Sequence, residues 1–418
     1  MPQTPTGRYH RRVNGRSTTD AEGYVEEIPY TYGYQADLDP LRMQAALRRA
    51  GIAPPSVATA CELGFGQGLS LAIHAVAGGA RWCGTDINPA HVATLRGLVA
   101  GTGAQLDACA QPFAVFCVRD DLPQFDFIGL HGVWSWVSAA NRGRILRLVE
   151  RRLRPGGALY LSYNALPGWA AMEPLRAALV EHAAALPVAM PLAARIGSAM
   201  AHVGARVLRD ADWADGNPGL EAEWRAIRHK DVAYLAHEFF NRDWAPMAHR
   251  EVAAALGGAG LAFAAFASDS PPADEARFRR EYWVKGRPAP ATDGGADAAV
   301  AAAGPTDRRA RVQRLNDRLL ALAARSPGPA WLADPASGGA VEVGYAAMLM
   351  LGAWRRGLTD PVALAHEAES ALARLGQRLV RDGEVVVEPV QVRSRLEAEA
   401  RELLAVTLPR LRGAGALP

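Results

Sequence analysis

Between residues 57 and 164, short apolar runs alternate with amphipathic ones. Segments 57–63, 80–86, 105–110, 125–131 and 158–164 read as strands. Segments 67–76, 90–99, 112–118 and 138–153 read as the helices between them. Alternation with short links specifies a parallel sheet covered on both faces, and right-handed crossovers make it doubly wound. The fold class is therefore α/β. After Asn164 the alternation stops. Residues 170 to about 245 read as helices only, broken at Pro187, Pro191 and the Asp215-Gly216-Asn217-Pro218 turn. A helix over 250–256, then strand-like runs at 261–267 and 278–285, imply that the sheet resumes and that the helical stretch is an insertion.

Residues 287–306 are rich in Pro, Gly, Ala and Asp, which suits a linker. Residues 307–418 are mostly helical, with one strand-like piece at 384–388 after an Asp382-Gly383 turn; that order suits a winged-helix-like module. The expected division is an N-terminal arm and Tyr-rich lid over 1–50, one α/β domain over 51–286, a linker over 287–306 and a C-terminal domain over 307–418.

Composition narrows the function. Half of the 418 residues are hydrophobic and 21% are charged, the signature of a globular protein in which two or three domains are expected. The net charge is only +3, and lysine occurs only at Lys230 and Lys285. The arginines alternate with acids along helical stretches, as solvated faces do, so no nucleic-acid partner is expected. Cys61, Cys83, Cys109 and Cys117 form no CxxC pair, which argues against a metal site and for buried thiols in a reducing cytoplasm. No run approaches the ~20 apolar residues of a membrane span. The basic stretch 1–19 lacks the apolar run of a secretory signal.

The chemistry concentrates at Cys61-Glu62-Leu63-Gly64-Phe65-Gly66-Gln67-Gly68, directly after a strand and opening a helix. Glycine serves where backbone turns sharply against a ligand, and the helix start offers free N–H groups. Nicotinamide enzymes usually show GxGxxG; here the spacing is GxGxG with an acid two residues before the first glycine. A carboxylate at Glu62 would repel a pyrophosphate and attract a cation. Asp86 ends the second strand, where a carboxylate can accept two ribose hydroxyls; it could instead cap the next helix. Leu153-Arg154-Pro155-Gly156-Gly157-Ala158-Leu159 supplies a helix stop and a tight turn into the fifth strand.

With these three pieces the chain resembles the class I, Rossmann-like methyltransferases. More closely, it resembles the bacterial proteins with a methyltransferase regulatory domain, through Ile28–Tyr34, the run from Phe125 to Trp136, Ser162–Trp169 and Tyr234–Asn241. Its C-terminal third resembles the winged-helix module of the rickettsial outer-membrane-protein lysine methyltransferases. The resemblance implies S-adenosylmethionine as cofactor, held by Glu62, Gly64, Phe65, Gly66, Gly68, Asp86, Ile87, Gln111 and Leu130. Gln111 stands where relatives often carry an acid for the adenine amino group, and its carbonyl can still accept from that group.

Sites of open α/β sheets lie at the carboxyl ends of the strands. This puts His131, Tyr163 and Asn164 forward as catalytic candidates, and Tyr30, Tyr32, Tyr34, Trp134, Trp136 and Trp169 as substrate-binding ones. Each has a structural alternative: His131 as a core histidine, Trp134 and Trp136 as packing beneath the insertion, the tyrosines as a clamp on the first helix. Aromatic walls would lower a lysine's pKa by desolvation and would equally suit a flat small molecule. The expected acceptor is thus a protein lysine, with a small-molecule or glycan hydroxyl next and a non-catalytic SAM-binding module as a third reading. The insertion could pair with a second copy to form a homodimer, or pack within the chain.

Overall fold

The computed structural model describes residues 23–25, 27–28, 32–268, 270–273, 275–291, 305–326, 330–374, 380–381, 384–385 and 389–418. A seven-stranded sheet forms the centre. Its strands are β1 (Thr59–Leu63), β2 (Arg81–Asp86), β3 (Leu106–Ala110), β4 (Phe125–Leu130), β5 (Leu153–Asn164), β6 (Leu261–Phe266) and β7 (Phe278–Lys285). They lie in the order β3-β2-β1-β4-β5-β7-β6. The first five are parallel, and β7 runs antiparallel between β5 and β6. The strand order reverses between β1 and β4, the place where a crevice opens in such sheets.

Helices α1 (Pro40–Arg49), α2 (Leu69–Ala77), α3 (Pro89–Val99), α4 (Phe113–Phe116) and α5 (Ala139–Arg152) flank the sheet. Local chemistry sets their starts. Asp39, Asn88 and Ser138 accept the N–H of Leu41, Ala90 and Asn141, and Pro40 and Pro89 occupy the first turns of α1 and α3. The expected turn before the fifth strand is carried inside β5, whose register on β4 shifts between Phe125 and Phe127.

The insertion consists of α6 (Glu173–Ala185), α7 (Leu192–Arg209), α8 (Ala211–Asp215), α9 (Leu220–Ile227) and α10 (Val232–Phe239), before α11 (His249–Gly258) returns to the sheet. It buries its own core, including Leu175, Leu179, Ile196, Val203, Leu220 and Phe239. The remainder folds as α12 (Pro305–Ala323), α13 (Tyr345–Arg355), α14 (Pro361–Arg374), α15 (Pro389–Glu402), a π turn (Leu403–Thr407) and α16 (Leu408–Ala414). Two short hairpins accompany these helices: Trp331–Ala333 with Ala340–Glu342, which the sequence did not announce, and Val380–Arg381 with Glu384–Val385. Residues 386–388 of the expected strand, and 292–304 of the expected linker, lie outside the described residues.

The C-terminal helices do not keep a separate core. Val312, Leu315 and Leu319 of α12 belong to one buried cluster with Leu69, Ile73 and Val76 of α2. Arg311 donates to Ala75 O at 3.3 Å, and Arg318 to Gly97 O at 3.0 Å. The opposite face of the sheet packs on α5 and α11 through Ile128, Leu148, Tyr163, Val252 and Trp283.

Candidate cofactor and acceptor site

One cavity opens at the carboxyl ends of β1, β2 and β4. Its floor is the glycine turn, where the sequence needs residues without side chains. Gly64 has φ +69°, and a Cβ there would lie 2.6 Å from Val133 Cγ2. Gly68 has φ +74°, and its Cβ would lie 2.8 Å from Leu95 Cβ. Any larger residue must strain the backbone and push β4's following loop or α3 aside.

Asp86 ties this turn to the end of β2. Its Oδ2 accepts Gly66 N at 2.8 Å; its Oδ1 accepts Asn88 N at 2.9 Å and His91 Nδ1 at 3.0 Å. Asn88, not Asp86, caps α3. Three of the roughly four acceptor positions of a carboxylate are thus used, leaving capacity toward the cavity. Thr85 donates its hydroxyl to Gln111 O at 2.7 Å, which fixes the β3 end against β2.

Glu62 is 3% exposed and its Oε2 has no hydrogen-bond partner. Burial first, and then the neighbouring Asp86 carboxylate, push its pKa up to about 8. Gln111 Oε1 is likewise buried and unpartnered. Among the described residues, the charged side chains lining the cavity are Glu62 and Asp86, and no lysine or arginine lines it. Buried polar atoms are normally bonded, so two orphaned acceptors in a carboxylate-walled cavity mark a place for donors and positive charge.

Around the rest of the cavity stand Phe65, Ile87, Pro112, Phe113, His131, Val133, Trp136, Val137 and Asn141. His131 bonds through Nδ1 to Tyr160 OH at 2.8 Å. Burial, then Arg280, lower its pKa to about 4, so the ring is neutral at pH 7. Trp136 belongs to a short 3-10 turn (Trp134–Trp136) rather than to extended chain, so the two tryptophans do not share a face.

An N-terminal strap closes one side. Gly33, Gln35 and Leu38 line the cavity, and Gln35 N donates to Ser70 Oγ at 2.7 Å. Further upstream Tyr24 also lines it. The strap is anchored on α10 and the residues just after it: Val25 N donates to Asn241 Oδ1 at 3.0 Å, and His237 Nε2 donates to Ile28 O at 2.8 Å. This gives the Tyr234–Asn241 segment a structural task. Tyr34 points away, bonding His74 Nε2 at 3.1 Å.

The structure therefore brings together Glu62, Gly64, Phe65, Gly66, Gly68, Asp86, Ile87, Gln111, His131 and Trp136. Other candidates do not line the cavity. Leu130 and Trp134 are buried in the core beneath it. Tyr163 points to the α11 side, where its hydroxyl meets His249 Nδ1 at 3.1 Å and Glu281 Oε1 at 3.3 Å. Its direction follows from strand alternation: Tyr160 and Ser162 face one side of β5, and Leu161 and Tyr163 the other. Asn164 is 1% exposed, and its N–H donates to Ser135 Oγ. Trp169 packs in the insertion core, tilted against Phe239 and edge-on to Trp244. Tyr32 and Tyr34 fall outside the lining, and Tyr30 lies outside the described residues. Sequence reasoning missed Tyr24, Gln35, Ser70, Pro112, Phe113, Val137 and Asn141. Only Pro112 and Phe113, beside Gln111, carried a signal in their position.

Sheet order, glycine turn and carboxylate placement define the class I methyltransferase fold. Residues 61–161 match the model of a methyltransferase domain, and residues 231–277 that of a predicted methyltransferase regulatory domain. The two matches follow one another along the chain, the first over the sheet from β1 to β5 and the second from α10 to the approach to β7. Among individual proteins, it is 34% identical over 247 residues to an uncharacterized protein of Synechocystis sp., covering 58% of this chain and 48% of that one. It is 30% identical over 176 residues to an uncharacterized protein of Rickettsia prowazekii, covering 41% and 31%. The match spans less than half the length of either relative. The structure of PKMT2 from Rickettsia typhi in complex with AdoHcy aligns over 92% of this chain and 99% of that chain, with TM-score 0.58 and 13% identity. A second PKMT2 structure from Rickettsia typhi aligns over 91% and 76%, with TM-score 0.50 and 15% identity. At these identities the likeness is one of fold.

Proposed function

We propose that the chain binds S-adenosylmethionine in this cavity and transfers its methyl group to an acceptor, with a protein lysine as the leading acceptor class. The observation that carries the reading is Glu62: a buried carboxylate with an orphaned oxygen, no cation beside it among the described residues, and a glycine cradle that tolerates no Cβ. A cationic ligand fits such a site, and the AdoHcy bound to the Rickettsia typhi neighbour supports the same assignment. The cofactor supplies a methyl on a sulfonium, which an acceptor displaces in line.

The chain's residues then do three things. Glu62 offsets the positive charge of the methionyl ammonium or sulfonium. Asp86 offers its remaining lone pair to ribose, and Gln111 Oε1 accepts from the adenine amino group. Phe65, Phe113, Val133 and Val137 exclude water, and the strap at Gly33–Gln35 covers the rest. Tyr24 and Trp136 give the acceptor half aromatic walls without positive charge, which suits an amine better than an anion. Transfer of label from methyl-tritiated S-adenosylmethionine into lysate, separated into protein and small-molecule fractions, tests the acceptor class. Label in a discrete protein band that releases methyl-lysine on hydrolysis is expected; label confined to small molecules would replace lysine with a small-molecule acceptor.

A further inference from the structure

Tyr160 lies in the middle of β5, fully buried, and no motif marks it. Its hydroxyl nevertheless sits under the cavity, 2.8 Å from His131 Nδ1. Ser162 stands two residues on, on the same face of the strand. Burial raises the Tyr160 pKa, so the phenol keeps its proton. Ser162 Oγ accepts Gly132 N at 2.8 Å, which ties the backbone beside His131 to β5. The Tyr160 hydroxyl has a proton to place. The acceptor within reach is His131 Nδ1.

A buried hydroxyl seldom leaves its proton unbonded, and a neutral imidazole that accepts at Nδ1 carries its hydrogen at Nε2. The surroundings keep the ring neutral. Arg280 approaches from β7, where it pairs with Asp37 at 2.7 Å. Asp37 also pairs with Arg42 at 2.9 Å, and its backbone O accepts Tyr282 OH at 2.8 Å. Phe278 meets the ring edge-on. No described residue bonds to Nε2, on the edge of the ring opposite Tyr160.

We propose that Tyr160 and His131 form a one-way hydrogen-bond relay, in which the Tyr160 hydroxyl donates to Nδ1 and so fixes His131 as a neutral Nε2–H donor to an oxygen of the bound molecule. His131 is then a binding residue and not the base that deprotonates the acceptor; Tyr160 is a positioning residue acting through it. The recognised chemistry is a carboxylate, carbonyl or hydroxyl oxygen. Two molecules could bring it, the methionyl carboxylate of the cofactor or the methyl acceptor. The occupant rests on the function proposed above, whereas the direction of the relay does not.

Imidazole nitrogen NMR on the full chain at pH 7, with His131 assigned by its loss in His131→Gln, tests the relay without any ligand. The expected signal is a neutral ring protonated at Nε2. Tyr160→Phe, which keeps the ring and loses the hydroxyl, should release the tautomer to a mixture. A wild-type ring protonated at Nδ1 or at both nitrogens would overturn the proposal, as would a tautomer unmoved in Tyr160→Phe. Calorimetry then locates the oxygen, comparing S-adenosylhomocysteine with 5′-methylthioadenosine, which lacks the amino-acid part. His131→Leu should weaken the first about 10-fold and spare the second if the carboxylate is the partner. Unchanged affinity for both assigns the oxygen to the methyl acceptor. Equal weakening of both would reduce His131 to packing and overturn the proposal. Failure of the wild type to bind either compound would sink the cofactor assignment and leave the NMR result standing.

Discussion

Two buried glutamates, one on each side of the sheet's β1–β4 crevice and β5–β7 edge, show how similar residues acquire different tasks. Glu281 is 0% exposed, and its Oε1 collects Arg279 Nε at 2.7 Å, His249 Nδ1 at 3.1 Å and Tyr163 OH at 3.3 Å. Its charge is answered within the fold. Glu62 is almost as deep but faces no cation among the described residues; the charged group acting on it is another carboxylate. A buried carboxylate left unanswered is costly unless something outside the chain supplies the positive charge. Each leaves its Oε2 unbonded within the fold, so the difference lies in charge: the glutamate paired with Arg279 is structural, and the one without a paired cation marks the ligand site.

The sharpest way to break this contrast is at the glycine cradle. Gly64→Val should abolish binding of S-adenosylhomocysteine, a loss of more than about 100-fold by calorimetry, because its Cβ would overlap Val133. Circular dichroism should report a folded chain. Glu281→Gln should do the reverse. It should cost roughly 3 kcal/mol of stability in urea unfolding by breaking a buried ion pair, and leave cofactor affinity unchanged.

Glu62→Gln tests the sign of the electrostatics. In the folded chain Glu62 holds its proton up to about 8, whereas an unfolded glutamate loses it near 4.5. The folded state therefore binds the extra proton between those values, and stability from this group falls as pH rises from 4.5 to 8. The wild type without ligand should lose stability across that window, by at most about 1.4 kcal/mol per pH unit. Glu62→Gln should remove that slope, be more stable than wild type at pH 8, and bind cofactor more weakly. A slope that persists in the variant would place its origin elsewhere. The smallest effect concerns the strap. Asn241→Ala should remove about 1 kcal/mol of anchoring and speed cofactor release severalfold in stopped-flow measurements, with little change in the glycine turn.

The two sides of the molecule also differed in how far the sequence revealed them. The cofactor half was legible because its chemistry is contiguous. Gly64, Gly66 and Gly68 follow a strand, Asp86 ends the next, and Gln111 follows the third, so order along the chain maps onto position around the cavity. The acceptor half was not, because its residues meet only through tertiary packing. Tyr24 reaches the cavity because Asn241 and His237, more than 200 residues away, hold the strap. Tyr160, inside the strand and marked by no motif, is the partner of His131, whereas Tyr163 sits at the expected strand end with its side chain on the opposite face. Alternation along β5 decided that outcome, and it depends on a register no motif reveals. The C-terminal region read as a unit behind a linker; α12 instead shares the core of α2, since the apolar faces of both need cover.

Titration calorimetry of the full chain with S-adenosylhomocysteine, run beside a folded Gly64→Val variant, tests the central claim most directly. One site per chain in the wild type, absent in the variant, is the predicted result. Heats indistinguishable between the two proteins, or none in the wild type, would contradict the assignment of this cavity to the cofactor.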